Sequence, residues 1–455
     1  MRWVADAVYL FAGVLYLPVA LYHALILGKN RRGWGQRFGS VPTFDPTRRR
    51  IWIHAVSLGE VNATPGLVAA LQQRCPGVDV VVSTTTDTGY ARAAALYGEG
   101  RVFRFPLDFS LVVTRALRRI RPSLIVLVEL EVWYNLTRMA ARAGVAVAVV
   151  NGRMTQRSAR RLRRLGSFAR TMFRDLTWVG AQDDTIASRF REMGVPPECV
   201  EVTSSLKWDT AAVTDRVEGS EELAAALGLD GSRPIWVCGS TGDGEETLIL
   251  DAYRDLTHSP ADQSRERERA DAGRVASAPR SDRPMPRLVL VPRKPERFDE
   301  VARLIESRGY ECIRRSEHAD RASPGTKERP RGVVLGDTMG ELRKFYCLAD
   351  AVFVGRSLVP LGGSDPMEVA ALAKAMIVGP HMENFDAPLR ALREASAVRG
   401  VDSPASLAHA VEEILANPTL ARSMGEKGRQ VVLQNQGATA RTVDRLVELL
   451  AGHRG

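Results

Sequence analysis

Cysteine is scarce: Cys75, Cys199, Cys238, Cys312 and Cys347 are the only five in 455 residues, odd in number and widely scattered, with no CxxC pair. A zinc site and a disulfide framework are thereby excluded, and the usage fits a reducing compartment. Nothing in the composition is extreme, since 45% hydrophobic and 25% charged residues are globular averages, which excludes a wholly disordered, collagenous or multi-span chain. Acidic residues are in deficit, 53 against 63 Lys and Arg. The resulting charge of +10 and pI near 9.6 favour anionic partners such as nucleic acid, anionic lipid or a phosphorylated substrate. At 49.9 kDa the chain is too long for one domain, so two packed domains and an appendage are expected.

The exception to the soluble average is Ala7 to Leu27, AVYLFAGVLYLPVALYHALIL, which carries no formal charge and is long enough for one membrane-crossing helix. Lys29, Arg31, Arg32 and Arg37 follow, which places the remainder on the cytoplasmic side by the positive-inside rule. A cleaved signal peptide fits poorly, because the charge lies behind the apolar run. Spanning and lying in the interface, helped by Trp3, Tyr9, Tyr16 and Tyr22, are the two readings. Residues 1–32 are accordingly assigned to a membrane anchor.

Beyond it, short apolar runs alternate with amphipathic ones, the pattern of strand–loop–helix repeats around a parallel sheet. IWIHAV (51–56), VDVVVS (78–83), LIVLVE (124–129) and VAVAVVN (145–151) read as buried strands, with helices at Glu60–Arg74 and Leu111–Ile120. The series restarts with IWVCGS (235–240), RLVLVP (287–292), GVVLG (332–336), AVFVG (351–355) and AMIVG (375–379). Two Rossmann-like domains facing across a cleft follow, at 33–213 and 214–455, joined near Asp209 to Pro234. HAVSLGE (54–60) and VCGSTGDGEE (237–246) echo each other, passing from strand to Ser/Gly turn to acidic helix start. Residues 258–287 carry seven Arg, five acidic residues and four Pro with almost no large apolar side chain, so a disordered insertion is expected. Its mixed charge reads as a solvated loop rather than a binding one.

Ligands of such sheets bind at the carboxyl ends of strands, where two loops stand out. In SLGE, Ser57 and Glu60 match a capping box, yet Glu60 is also suited to take a proton from an acceptor hydroxyl. In GGSDPMEVAALAK (362–374), Asp365 reads as N-cap, Pro366 as the first helical residue and Glu368 as the third. The freed amides and glycines suit a phosphate, Glu368 suits ribose hydroxyls, and simple capping accounts for the pattern equally.

HAVSLGE, STTTDTG (83–89), ELEVWYNL (129–136), NGRMTQRS (151–158), GSTGDGEE (239–246), VPRKPERF (291–298) and FVGRSLVPLGGSDPMEVAALAKAMIVGPHMENF (353–385), in this order, resemble the lipid A Kdo transferases. The resemblance spans about residues 3 to 450 apart from the insertion. It implies an α/β chain of the GT-B fold, membrane-anchored at the inner membrane with its catalytic domains on the cytoplasmic side. The implied activity is inverting transfer of 3-deoxy-D-manno-octulosonic acid (Kdo) from CMP-Kdo to the lipid A precursor, in lipopolysaccharide core biosynthesis. It further implies Glu60 as general base, Arg293 on the donor phosphate with Lys294 beside it, and Glu368 on the ribose, with Ser364 and Asp365 also in the donor loop. Ser57, Gly59, Glu129, Glu131, Arg153, Ser240, Gly362 and Gly363 are further candidates within the motifs. No DxD-like cluster is placed to bridge a diphosphate, and metal independence follows from the resemblance, with no cofactor, nucleic acid or obligate protein partner expected. The Arg-rich run RSARRLRR (157–164) suits a bisphosphorylated acceptor or is a solvated helix face. Where the family commonly has His this chain has Gly242 and Lys294, and where it has His-Asn this chain has Ser364 and Asp365. The alternatives are a GT-B enzyme acting on a UDP-sugar, by transfer or epimerisation, and a non-catalytic membrane-bound homologue.

Overall fold

The structure, a computed structural model, describes residues 2–25, 32–257, 285–318 and 332–452. It divides into two compact units, one of residues 1–210 with 435–455 and one of residues 211–434.

In the first unit the strands are β1 (Arg50–His54), β2 (Asp79–Thr84), β3 (Val102–Arg104), β4 (Leu124–Val128), β5 (Ala146–Gly152), β6 (Trp178–Ala181) and β7 (Val200–Val202). They form one parallel sheet in the order β3-β2-β1-β4-β5-β6-β7. Continuous apolar runs are required because helices cover both faces. Alternate residues serve the two sides: Trp52, Ile125 and Val147 join one cluster, while Ile51, Ile53, Leu124 and Val126 join the other. Direction along the sheet reverses between β1 and β4, so the loops after those two strands meet at the switch point.

The second unit repeats the scheme. Its strands β8 (Ile235–Thr241), β9 (Arg287–Pro292), β10 (Glu311–Arg314), β11 (Gly332–Leu335), β12 (Ala351–Val354), β13 (Met376–Val378) and β14 (Val398–Gly400) are ordered β10-β11-β9-β8-β12-β13-β14, all parallel. Here the switch point lies between β8 and β12.

Several sequence expectations shift. The helix expected over Glu60–Arg74 is two helices, Leu58–Asn62 and Pro65–Arg74, because Pro65 cannot donate to the preceding turn. The carboxyl-terminal helix Ala438–Gly452, assigned by sequence to the second domain, packs against Pro65–Arg74. It buries Leu446 and Leu450 in the first unit's core and pairs Asp444 with Arg74 at 2.8 Å. Residues 258–284 of the insertion lie outside the described residues, whereas Arg287 at its end is already the first residue of β9.

The amino-terminal helix runs Arg2–Leu25 with Pro18 inside it; residues 26–31, including the last two of the apolar run Ala7–Leu27, lie outside the described residues. Among the described residues no helix is long and apolar enough to cross a membrane. One face is docked: Ala5 is buried, Tyr9 meets Phe109 edge-on, and the Asp6 carboxylate accepts from Ser110 N–H at 2.8 Å and from Asn135 Nδ2 at 3.0 Å. Val8, Leu10, Phe11, Val14 and Leu15 are exposed. Asp6→Ala leaves these donors without their acceptor, at a cost of about 1–3 kcal/mol. Amide exchange over residues 2–25 is expected to accelerate in that variant while the second unit's is unchanged; equal protection would show that the apolar contacts alone hold the helix.

Candidate active site

At the first switch point three glutamates gather. Ser57 caps the helix Leu58–Asn62 by accepting from Glu60 N–H at 3.4 Å, and its hydroxyl donates to Glu60 Oε1 at 2.8 Å. Glu60 Oε2 accepts from Val56 N–H at 2.9 Å. Capping is therefore real, but it holds the carboxylate by one amide and one hydroxyl and leaves lone pairs on both oxygens. Burial pushes the Glu60 carboxyl above its ordinary range, and the nearby charge of Glu129 adds to this. Thr86 supports the loop by donating its hydroxyl to Val56 O at 3.1 Å. Gly59 has only Ser57 Oγ, at 3.9 Å, near the position of an added Cβ, so packing does not require glycine there.

Glu129 follows β4 with φ of 63°, a left-handed conformation uncommon outside glycine, and its N–H donates to Val150 O at 3.0 Å. Glu131 accepts from Trp133 Nε1 at 3.2 Å. Burial, then the charges of Glu60 and Glu129, push its carboxyl up to about 7. Among the described residues no group of three or more His, Cys, Asp or Glu is arranged to hold a metal ion. Arg153 enters through its backbone, whose N–H points at Glu129 O from 3.5 Å. The helix Gln156–Arg163 buries only Ala159, so the arginines of the basic run form an exposed face. His54, at the end of β1, stacks on Phe105 with ring centroids 3.8 Å apart, and burial pushes it down to about 3, so it is a neutral core residue.

At the second switch point the organising groups are two acids that sequence reading left as part of a motif. Glu245 takes backbone N–H groups from both loops: Gly242 at 3.2 Å, Arg356 at 2.5 Å, Ser357 at 2.8 Å and Leu358 at 2.9 Å. Glu246 takes Thr241 Oγ1 at 2.7 Å and a two-pronged Arg297 at 2.7 and 3.1 Å. In PRKPERF, then, Arg297 is consumed by the fold, while Arg293 and Lys294 are exposed. Arg293 acts electrostatically on Glu368 and on Arg356. Burial raises the Glu368 carboxyl, and Arg343 and Arg293 oppose the rise. Ser240, at φ of 56°, offers its carbonyl to the buried Ser364 hydroxyl at 3.2 Å. Gly362 and Gly363, at φ of 80° and 77°, need their conformational freedom for the turn. The helix expected to begin at Pro366 begins at Met367, so Pro366 rather than Asp365 holds the N-cap position, and Asp365, one residue earlier, accepts Met367 N–H at 2.8 Å. Arg356 was legible only as a loop residue, since nothing in sequence marks the Glu245 contact that holds its backbone.

The model of the 3-deoxy-D-manno-octulosonic-acid transferase (kdotransferase) family matches residues 32–210. A 3-deoxy-D-manno-octulosonic acid transferase of Haemophilus influenzae is 33% identical over 407 residues, covering 88% of this chain and 87% of that one. The chain belongs to this transferase family. A second member, from Bordetella pertussis, is 34% identical over 412 residues, covering 89% of this chain and 88% of its own. A glycosyltransferase from Rickettsia africae superposes with a TM-score of 0.52 at 11% identity, over 89% of this chain and 98% of that one. This last likeness concerns the fold, the twin parallel sheets of GT-B enzymes. Of the four positions where the resemblance leads to other residues, three have a structural setting and Lys294 is simply exposed: a Cβ at Gly242 would lie 2.5 Å from Leu361 Cδ1, so that space is filled, and Ser364 and Asp365 are engaged with backbone.

A carboxyl raised by folding stabilises the protein below its unfolded pKa and loses that contribution as pH climbs to its folded value, about 7 for Glu131. Glu131→Gln stays neutral and keeps an acceptor for Trp133. Melting temperatures of the two chains are expected to be close at pH 5, with the variant higher at pH 8 by the equivalent of about 2–3 kcal/mol. A variant no more stable at pH 8 would place Glu131 in water.

Proposed function

We propose that the chain is an inverting glycosyltransferase that moves Kdo from CMP-Kdo to the lipid A precursor. The observation that carries the reading is Glu60, held at the sheet's switch point with its carboxyl raised toward the pH at which a base works best. In this mechanism Glu60 takes the proton of the acceptor hydroxyl as its oxygen attacks the anomeric carbon. The bond to CMP breaks, and the charge developing on the departing phosphate is met by Arg293, with Arg356 and Lys294 as neighbouring cations. Glu368 accepts from the ribose hydroxyls. Glu131, its carboxyl pushed up to about 7, carries only part of its charge at neutral pH and so adds less repulsion beside Glu60.

The acceptor reading draws on the exposed arginines of 157–164, which suit a bisphosphorylated lipid, and on the amino-terminal helix. With Val8, Leu10, Phe11, Val14 and Leu15 exposed on a helix docked through Asp6, a membrane-surface anchor on the cytoplasmic side of the inner membrane is the reading we adopt. An anchor raises the effective concentration of a membrane-embedded acceptor without touching the sugar.

Purified protein with CMP-Kdo and tetraacylated lipid A precursor, products resolved by mass, tests the activity, with UDP-sugars as the competing donors. Glu60→Gln is expected to lower turnover by about a hundred- to ten-thousandfold with donor affinity retained. Near-normal turnover would leave Glu60 a helix cap, and turnover of a UDP-sugar alone would replace the donor.

Replacing Val8, Leu10, Phe11, Val14 and Leu15 by serine tests the helix. Transfer to vesicle-embedded acceptor is expected to fall steeply, transfer to detergent-dispersed acceptor much less, and the KM for CMP-Kdo not at all. Unchanged rates on vesicles would remove the anchor from the mechanism.

A further inference from the structure

The amino ends of β8, β12 and β13, opposite the donor loops, border a cavity of about 460 Å³. Its lining brings cations from three elements: Arg233 from the segment entering β8, Lys374 from the turn entering β13, and Arg422 from the helix Pro418–Asn435. Among the lining residues the carboxylate is Asp350, whose Oδ2 already accepts Ile235 N–H at 2.8 Å. Arg233 is fixed by the Met285 carbonyl at 2.6 Å. The side chains of Lys374 and Arg422 make no hydrogen bond or close ion pair among the described residues. Burial pushes the Lys374 amine below its ordinary range, with Cys347 and Asp350 only partly opposing the shift and Arg429 adding to it. Positive charge is thus concentrated and incompletely balanced, a state that a bound anion relieves.

The cavity's wall is also rigid. Ala373, just before Lys374, has φ of 51°, and a Cβ at Gly425 would fall 1.9 Å from Ala373 O, so the helix Pro418–Asn435 lies directly against the turn. Ile414 and Pro418 add an apolar side. The donor loops leave the far end of β8, a seven-residue strand, and so lie about 20 Å away; a nucleotide held there does not fill this space.

We propose that this cavity is a second anion site, taking a small phosphate monoester with its phosphoryl group among Arg233, Lys374 and Arg422 and its organic part against Ile414 and Pro418. A dianionic phosphate matches the excess charge and the forked arginines better than a carboxylate does. The volume accommodates a body of monosaccharide size.

The test is calorimetry on the full chain saturated with CMP, so that the donor site is occupied. Glucose 1-phosphate is expected to bind saturably, inorganic phosphate more weakly and glucose not at all. Lys374→Met and Arg422→Gln should each weaken glucose 1-phosphate at least about tenfold, with CMP affinity and melting temperature unchanged, while Lys374→Arg retains binding. In the unmodified chain, glucose 1-phosphate should also protect Lys374 from trinitrobenzenesulfonate, read by mass spectrometry. Absence of saturable binding, binding indifferent to both substitutions, or labelling of Lys374 unaffected by ligand would each overturn the proposal. Inorganic phosphate binding as tightly as the sugar phosphate would remove the organic subsite.

Discussion

Each unit hangs its functional loops on a carboxylate that turns back onto backbone amides just after the first strand. In the second unit Glu245 binds the amides of Gly242, Arg356, Ser357 and Leu358, stitching the loop after β8 to the loop after β12 across the point where the sheet reverses direction. Burying this carboxylate is costly and raises its pKa on balance, yet charge-assisted bonds to four amides offset part of that cost, and removing the carboxylate would strand four donors at once. The positions of Arg356, of the two glycines and of Ser364 all depend on this junction. Glu60 performs a thinner version of the same task in the first unit, where one amide and one hydroxyl occupy it. The difference in occupancy separates their roles: Glu245 has little capacity left for anything but structure, whereas Glu60 retains lone pairs for a proton.

The resemblance between HAVSLGE and VCGSTGDGEE was legible in the sequence because strand, turn and acid follow at short, fixed spacing. So were the long buried strands, whose apolar runs have no other explanation. What escaped were short strands: β3, β7 and β14 contain three residues each and β6 and β10 four, too few to show a period, and they are strands only because a neighbour supplies their hydrogen bonds. The return of the helix Ala438–Gly452 to the first unit escaped for a related reason. Its apolar stripe specifies that a partner exists and says nothing of which one. Among site residues, Glu60, Arg293 and Glu368 were named from motifs, and the same motifs concealed that Arg297 is an ion-pair partner of Glu246 rather than a free cation.

Charge is unevenly used. The net +10 of the chain coexists with a first switch point dominated by Glu60, Glu129 and Glu131 and a second surrounded by Arg293, Arg343 and Arg356. Carboxylates close together raise one another's affinity for protons, which suits a base that must be neither fully protonated nor too weak at neutral pH. Arginines close together lower one another's, and they tolerate this because a guanidinium stays charged regardless. An acid cluster and a base cluster on separate scaffolds match a reaction that takes a proton from one partner and steadies negative charge on the other.

At Gly242, one of the positions where the resemblance leads to a different residue, the geometry ties the glycine to Leu361 and Arg356. Leu361 occupies the space into which any side chain at Gly242 would grow, and the neighbouring Arg356 Cγ lies 3.0 Å from the same point. Arg356 also bonds Leu361 O at 2.8 Å, so the pair forms one unit over the turn. Its φ of 61° costs about 1–3 kcal/mol for a residue with a Cβ, and such strain persists only where surroundings over-determine the backbone. Glu245 supplies that determination by holding the amides of Arg356 and the two residues after it. The strain is therefore offset by the same carboxylate that joins the two loops, and what it secures is a guanidinium close enough to Arg293 to be felt electrostatically.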